Sequence, residues 1–258
     1  MNILEEIVAN KRVEVQAFKR ARPMSALQSA AERRDRAPDF VQALRSVPIG
    51  LVAEVKRRSP SAGAIREPFD PQAIAVAYDK AGAQAISVLM DHKFFGGGEA
   101  DFRAVRAAVD LPLLYKEFVV DPWQIWHAAS LGASAALLIA AVLDDALLND
   151  FIALCREARI EPLVEVHDEK EMTRVAALPV RCIGVNNRDL TTFKISLETT
   201  FRLKPLAPEE CTLISESGIR SAADVARLKD AGVHAVLVGE HLLRQSDLSK
   251  AVSDLMTP

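Results

Sequence analysis

Five stretches of the chain close an apolar run with a charged or amide side chain, and these are where chemistry is to be sought. They are Leu51-Val52-Ala53-Glu54-Val55-Lys56, Leu113-Leu114-Tyr115-Lys116, Leu163-Val164-Glu165, Ile183-Gly184-Val185-Asn186 and Leu213-Ile214-Ser215-Glu216. Side chains on a β-strand alternate between faces. Val52, Glu54 and Lys56 then share one face, while Ala53 and Val55 share the other. The same alternation joins Leu114 to Lys116, Leu163 to Glu165, Gly184 to Asn186 and Ile214 to Glu216. An ammonium tuned by a nearby carboxylate can donate a proton to oxygen or neutralise an anion, and a carboxylate held apart from water can take a proton. Glu54, Glu165 and Glu216 balance Lys56, Lys116 and Arg188 in sign. Such a set can pair, which avoids the several kcal/mol that a lone buried charge costs and moves pKa values toward catalytic use. Any one of these residues alone is equally well a solvated charge at a strand end. The set is not, because strand ends have no general reason to be ionic on one face.

Two later stretches suit an anion. Ser217-Gly218-Ile219-Arg220 precedes a helix start, Ser221-Ala222-Ala223-Asp224, that reads as a capping box. Val238-Gly239-Glu240-His241 follows another apolar run. Glycines beside exposed backbone N–H groups at helix starts bind phosphate. Each glycine by itself is also compatible with a plain tight turn.

The elements that must position these groups recur with a regular rhythm. Apolar runs fall at 51–55, 85–90, 111–115, 135–140, 162–166, 182–186, 212–216 and 235–239, with a helical stretch between most of them. Pro71 to Ala81 is closed by Gly82, and Ser221 to Ala231 by Gly232, the residue a helix C-terminus favours. Strands alternating with helices predict parallel pairing through right-handed crossovers. Eight such units predict an α/β fold, a closed (β/α)8 TIM barrel, with its site at the C-terminal strand ends and phosphate at the last two loops. A doubly wound open sheet is the runner-up. It is disfavoured because the first strand lacks a GxGxxG and because Gly96-Gly97-Gly98 has the wrong spacing for one. Residues 1–46 differ from the rest. Leu4, Ile7, Val8, Val15 and Phe18 recur at helical spacing among Lys11, Arg12 and Lys19, while Pro23 and Pro38 punctuate two further helical stretches. The expectation is one barrel domain over residues 1–258, with 1–46 as a helical N-terminal extension docked on it.

Composition narrows the classes of function. The chain has 258 residues, 50% of them hydrophobic and 26% charged, which is globular rather than disordered. A net charge of -3 and only 5% aromatics argue against a nucleic-acid partner. Cys155, Cys182 and Cys211 are odd in number and without CxxC spacing, so reduced buried thiols are expected. Glu5 and Glu6 stand where a signal peptide would be apolar, and the run from Ala133 to Val142 is too short to span a bilayer. No membrane association and a cytoplasmic location are therefore expected. The five histidines show no HExxH or HxxxH pattern, so no metal site is expected.

Seven motifs in order carry a resemblance that covers essentially the whole chain. They are Glu54-Val55-Lys56-Arg57-Arg58-Ser59-Pro60-Ser61, Phe94-Phe95-Gly96-Gly97, Lys116-Glu117-Phe118-Val119-Val120-Asp121-Pro122, Leu163-Val164-Glu165-Val166-His167, Gly184-Val185-Asn186-Asn187-Arg188-Asp189-Leu190, Ser215-Glu216-Ser217-Gly218-Ile219 and Leu237-Val238-Gly239-Glu240. Together they resemble the signature of the indole-3-glycerol phosphate synthases, the (β/α)8 enzymes of tryptophan biosynthesis. The resemblance implies decarboxylating and dehydrating ring closure of 1-(2-carboxyphenylamino)-1-deoxyribulose 5-phosphate. It implies no cofactor and no metal, a small phosphorylated substrate as the partner, and a monomer. By similarity Lys116 is the general acid on the ribulose carbonyl, and Lys56 meets the anthranilate carboxylate and can also donate a proton in dehydration. Glu165 is the later general base, with His167 the next candidate. Glu54, Asn186 and Glu216 orient the sugar and the lysines. Ser59, Arg188, Ser217, Gly218, Gly239 and Glu240 bind substrate and phosphate, and Phe94, Phe118 and Leu137 offer an apolar slot to the aniline ring. Residues 57–63 read as a mobile loop over the site, its arginines solvated.

Two departures stand out. Glu117 follows Lys116 where the family commonly has aspartate; pointing off the barrel axis, it is expected to alter how Lys116 is braced. Gly98 replaces the usual serine, and a looser loop after the second strand is expected. Two other functions compete. A Schiff-base aldolase would need a lysine with a lowered pKa, which Glu54 opposes at Lys56; borohydride trapping separates that reading. A barrel turned scaffold protein predicts lost strand-end charges, and none is lost.

Overall fold

In the computed structural model, which describes residues 2–60, 62–189 and 192–257, eight parallel strands close into a barrel. Ser61 and Leu190, which end two of the motifs above, lie outside the described residues. The strands are β1 (Gly50–Val55), β2 (Ala85–Leu89), β3 (Leu113–Lys116), β4 (Ala135–Ile139), β5 (Glu161–Val166), β6 (Cys182–Asn186), β7 (Thr212–Glu216) and β8 (Ala235–Val238). Each pairs with its neighbours in sequence, and β1 closes the ring on β8 with Val52 opposite Leu237. The predicted runs therefore become strands with ends shifted by at most about two residues, the scatter normal for such boundaries.

Alternation divides each strand as expected. Val52, Leu114, Leu137, Leu163, Ile214 and Leu237 fill the barrel interior. Leu51, Ala53, Val55, Ile86, Val88 and Val164 face outward into the layer shared with the helices. Each large apolar side chain so buried contributes roughly 1.5–3 kcal/mol. Helix ends follow local rules. Asp70 caps the helix Pro71–Lys80, Ser221 and Asp224 form a capping box before Ala222–Asp230, and Gly82 and Gly232 follow with φ of +88° and +78°.

The N-terminal extension runs the length of the barrel. Its helices are α1 (Ile3–Ala21), started by an Asn2–Glu5 capping box, α2 (Met24–Glu32) and α3 (Phe40–Leu44). At the mouth, α1 brings Ile3, Leu4 and Ile7 to the rim of the central cavity. Lower down, α2 packs on the helix Pro122–Leu131, burying Leu27 and Ala31. At the far end, Phe40, Val41 and Leu44 of α3 join the interior cluster and plug the barrel floor. Gly50 is what admits that plug, because a Cβ there would stand 2.8 Å from the Leu44 carbonyl oxygen.

All three cysteines are free and buried. Among the described residues, no helix is long and apolar enough to cross a membrane.

Candidate active site

The C-terminal ends of the strands surround a cavity of about 430 Å³. Its floor is the top of the apolar interior, with Leu137 of β4 and Leu237 of β8. Above that floor, period-two alternation lifts Glu54 and Lys56 from β1, Lys116 from β3, Glu165 from β5, Asn186 from β6 and Glu216 from β7, all lining one space.

Two ion-pair systems organise it. Lys56 Nζ lies 2.5 Å from Glu54 Oε1. Lys116 Nζ lies 3.1 Å from Glu216 Oε2 and 3.7 Å from Glu165 Oε2. All three carboxylates are nearly shut off from solvent, with side-chain exposures of 6%, 1% and 4% for Glu54, Glu216 and Glu165. Burial alone would favour their neutral forms, so the neighbouring charges decide the outcome. At Glu54, burial is outweighed by Lys56 and Lys116, and the pKa falls. At Glu165, burial is outweighed by His167, Lys116 and Asn186, and the pKa falls to about 2. Glu216 takes the opposite course. Burial, with the charge of Glu165 adding to it, outweighs Lys116 and raises Glu216 to about 7. Its Oε1 is buried and has no hydrogen-bond partner among the described residues, which fits the same direction. At Lys116, burial works against the charge, yet Glu216, Glu165 and Glu54 together raise the pKa. A Schiff-base nucleophile needs the reverse, an ammonium easily deprotonated. Lys116 is instead held in its charged form by these carboxylates.

On one side the cavity is lined by bare backbone and by side chains suited to an anion. Gly218 adopts φ +86°, and a side chain there would collide with Ile195 at 2.4 Å. Gly239 precedes the short helix Glu240–Leu243, and a Cβ on it would stand 2.5 Å from Glu54 Oε1. Both glycines keep bare backbone facing the cavity beside Ser59, Ser217, Glu240 and the guanidiniums of Arg188 and Arg220. Arg188 is aligned by its own N–H, which donates to Asn186 Oδ1 at 3.0 Å. Behind it, buried Asn187 donates to Ser215 Oγ, Glu216 O and Ser217 O, tying β6 to the end of β7.

The opposite side is apolar. Phe95 and Phe118 line it with ring centroids 6.0 Å apart. Phe94, expected in that role, lies outside the cavity lining, its ring under Lys93 Nζ at 4.9 Å. The cause is local. Asp91 caps the helix His92–Phe95, and successive helical residues point about 100° apart, so only one of the two phenylalanines can face inward. The other expected site residues, Glu54, Lys56, Ser59, Lys116, Phe118, Glu165, Asn186, Arg188, Glu216, Ser217, Gly218, Gly239 and Glu240, all line the same cavity.

Two expectations around the site are adjusted. Arg57 and Arg58 stay open to solvent as expected, Arg58 exposed and Arg57 partly so, but both are held in place. Arg58–Ser59 pair with Gly63–Ala64 as a small antiparallel hairpin. Arg57 lies on Asp101 at 2.6 Å and over the Phe69 ring, and Arg58 donates to the Lys93 carbonyl. Glu117 does not brace Lys116. It points off the barrel axis and accepts from Lys11 Nζ of α1 at 2.9 Å, with Asp91 and Glu14 on the same ammonium. Gly98 precedes the helix Glu99–Ala108, which starts without a side-chain cap. The role of Lys11 had no signal in the sequence beyond a lysine in an apolar stripe; only the fold brings it 106 positions along to Glu117.

Comparison with known proteins gives a consistent picture. The sequence model of a family described as indole-3-glycerol phosphate synthase matches residues 4–255. The indole-3-glycerol phosphate synthase of Desulfotalea psychrophila is 44% identical over 259 residues, covering 100% of this chain and 99% of that protein. That of Laribacter hongkongensis is 44% identical, covering 98% of each. The chloroplastic one of Arabidopsis thaliana is also 44% identical, covering 98% of this chain and 66% of that protein. Among solved structures, a 3-hexulose-6-phosphate synthase superposes with a TM-score of 0.64 at 14% identity, over 81% of this chain and 98% of that one. A mutant tryptophan synthase alpha-subunit from Pyrococcus furiosus gives 0.63 at 14%, with the same coverage. At that identity the likeness shows the barrel fold alone.

Proposed function

The chain belongs to the indole-3-glycerol phosphate synthase family, and from that premise we propose how its residues carry the reaction. The activity is the ring closure of 1-(2-carboxyphenylamino)-1-deoxyribulose 5-phosphate to indole-3-glycerol phosphate in tryptophan biosynthesis, with loss of carbon dioxide and water. The substrate has three demands: a seat for the phosphate, a slot for the aryl ring, and proton donors and an acceptor at the carbons between them. The glycine cradle with Ser59, Ser217, Glu240 and Arg188 suits the phosphate, and Phe95, Phe118 and Leu137 suit the ring.

Between them Lys116 donates a proton to the ribulose carbonyl oxygen as the aryl carbon attacks. Carbon dioxide then leaves and the ring recovers its aromatic electrons. Lys56 neutralises the anthranilate carboxylate before that loss. In dehydration the hydroxyl leaves as water after taking a proton, for which Lys56 stands ready, and Glu165 removes the proton from carbon. Glu54, Asn186 and Glu216 hold the two lysines and the sugar in register. The observation that carries this reading is Lys116 Nζ held between Glu216 and Glu165 in a cavity with an apolar floor. A buried ammonium kept charged is a ready acid beside a forming alkoxide, and general acid–base help of this kind is worth roughly 10²–10⁴-fold.

We read the chain as one working barrel with its extension, a cytoplasmic monomer that needs no cofactor or metal. The test is ultraviolet detection of indole formation from the aminodeoxyribulose phosphate with chelator present, alongside light scattering for mass. No indole absorbance from folded protein, or activity only after metal is restored, would overturn the reading.

A further inference from the structure

His167 lies just past β5, where neither the cradle nor the lysine pairs need it. Its ring is nearly buried, with side-chain exposure of 12%. Two carboxylates face it. Nε2 stands 3.2 Å from Glu165 Oε1, off the line of a good hydrogen bond, so the contact is an ion pair. Nδ1 stands 3.1 Å from Glu171 Oε2. Glu171 is itself fixed. The same oxygen accepts the His167 backbone N–H at 2.8 Å, and the Glu171 N–H donates to Asp168 at the helix N-terminus. Glu165 is thereby bracketed, with Lys116 at Oε2 and His167 at Oε1. On its far side lie Glu216, Glu54 and, through Glu54, Lys56.

The bracket matters because of the order of the steps. This inference rests on reading Lys116 as the acid and Glu165 as the base. Once the Lys116 proton has passed to the substrate oxygen, one of the two cations beside Glu165 is neutral. A buried carboxylate that loses its cation tends to take a proton from water, and a protonated Glu165 cannot accept one from carbon. We propose that His167, kept as an imidazolium by Glu165 and Glu171 together, is the positioning residue that holds Glu165 ionised and aimed while Lys116 is discharged. His167 exchanges no proton with the substrate. Its own basicity fits: burial opposes the charge, but the two glutamates outweigh it and raise its pKa to about 10.

The experiment compares wild type, Glu165→Gln, His167→Asn, His167→Gln and Glu171→Gln. Steady-state kcat and KM are measured from pH 5 to 9, and the Glu165 carboxyl is titrated by ¹³C NMR. For His167→Asn we expect kcat at pH 6 to fall at least fivefold, KM to change less than twofold, and an acidic limb to enter the measured range at about pH 6.5 or above. The gap closes toward pH 8.5, and the Glu165 titration moves up with the limb. Glu171→Gln shows the same shift at smaller size. His167→Gln, which keeps a donor near Nε2 without the charge, gives the same comparison should the asparagine variant fold poorly. A purely structural role lowers the rate equally at every pH. No limb in that range and an unmoved Glu165 titration would overturn the inference. Should Glu165→Gln keep wild-type turnover, the assignment of the base falls first; an inactive Glu165→Gln beside an unmoved His167→Asn profile sinks the His167 role alone.

Discussion

A methyl group on Gly184 would stand 2.2 Å from Glu216 Oε1. The bare backbone of β6 is therefore what gives the carboxylate of β7 its place beside Lys116. Gly184→Ala forces the Glu216 carboxylate out of that place and toward the cavity it lines, away from its position beside Lys116. The expected result is a folded barrel with turnover reduced more than tenfold, read from steady-state rates beside a far-ultraviolet spectrum. Turnover within twofold of wild type would show that the Glu216 position is not critical.

Removing the acid and removing the base should give different failures. Lys116→Ala leaves the fold intact and abolishes most turnover, since Glu216 can take a proton and relieve the charge left behind. Activity within tenfold of wild type would retire Lys116 as the acid. Glu165→Gln keeps the cradle, so phosphate-bearing inhibitors bind as before while kcat falls more than tenfold. An unchanged rate would move the base elsewhere.

Most of this arrangement was legible in the chain because it depends on periodicity. Alternation along β1 is enough to set Glu54 and Lys56 on the interior face, and the repeat of apolar runs is enough to close the ring. Legibility stopped where a side chain's destination depends on a distant partner. Glu117 sits next to Lys116 in sequence but on the opposite face of the strand end, and its partner Lys11 comes from α1. Phe94 and Phe95 are adjacent and chemically identical, so only the cap at Asp91 decides which one reaches the cavity. The plug formed by α3 was equally hidden, because a five-residue apolar helix reads the same on a flank as on a floor.

The strand pair Arg58–Ser59 and Gly63–Ala64 brings Ser59, with Pro60 next to it, to the cavity and is tethered by Arg57, whose guanidinium meets both oxygens of Asp101. A planar fork matches a carboxylate in a way an ammonium does not. Arg57→Lys should raise KM for the phosphorylated substrate about threefold to tenfold while kcat and the melting temperature stay near wild type, an order of magnitude set by the loss of roughly 1 kcal/mol of positioning. An unchanged KM would mean the hairpin holds its place without that tether.

The knot under α1 predicts how stability depends on pH. Lys11 Nζ is shared by Glu14, Asp91 and Glu117, two of which are deeply buried. Burial, only partly offset by Lys11, raises Glu117 from 4.5 to about 7. The native chain therefore keeps a proton that the unfolded chain releases, and stability falls as pH rises between about 4.5 and 7. Glu216 adds a loss of the same sign over the same window. Lys11 works the other way round: burial lowers its pKa but its carboxylates raise it more, so its stabilisation is complete below 10.5 and disappears only above that. Urea unfolding of the wild type at pH 5 and pH 8 should show the protein weaker at pH 8. Glu117→Gln should remove part of that difference, on the order of 2 kcal/mol. Lys11→Met strips the cation from three carboxylates and should cost about 3–5 kcal/mol at pH 8, with a smaller loss at pH 5 where Glu117 can be neutral. Equal pH dependence in wild type and Glu117→Gln would mean that Glu117 is ionised throughout and that Lys11 alone sets the charge state of the joint between α1 and the barrel.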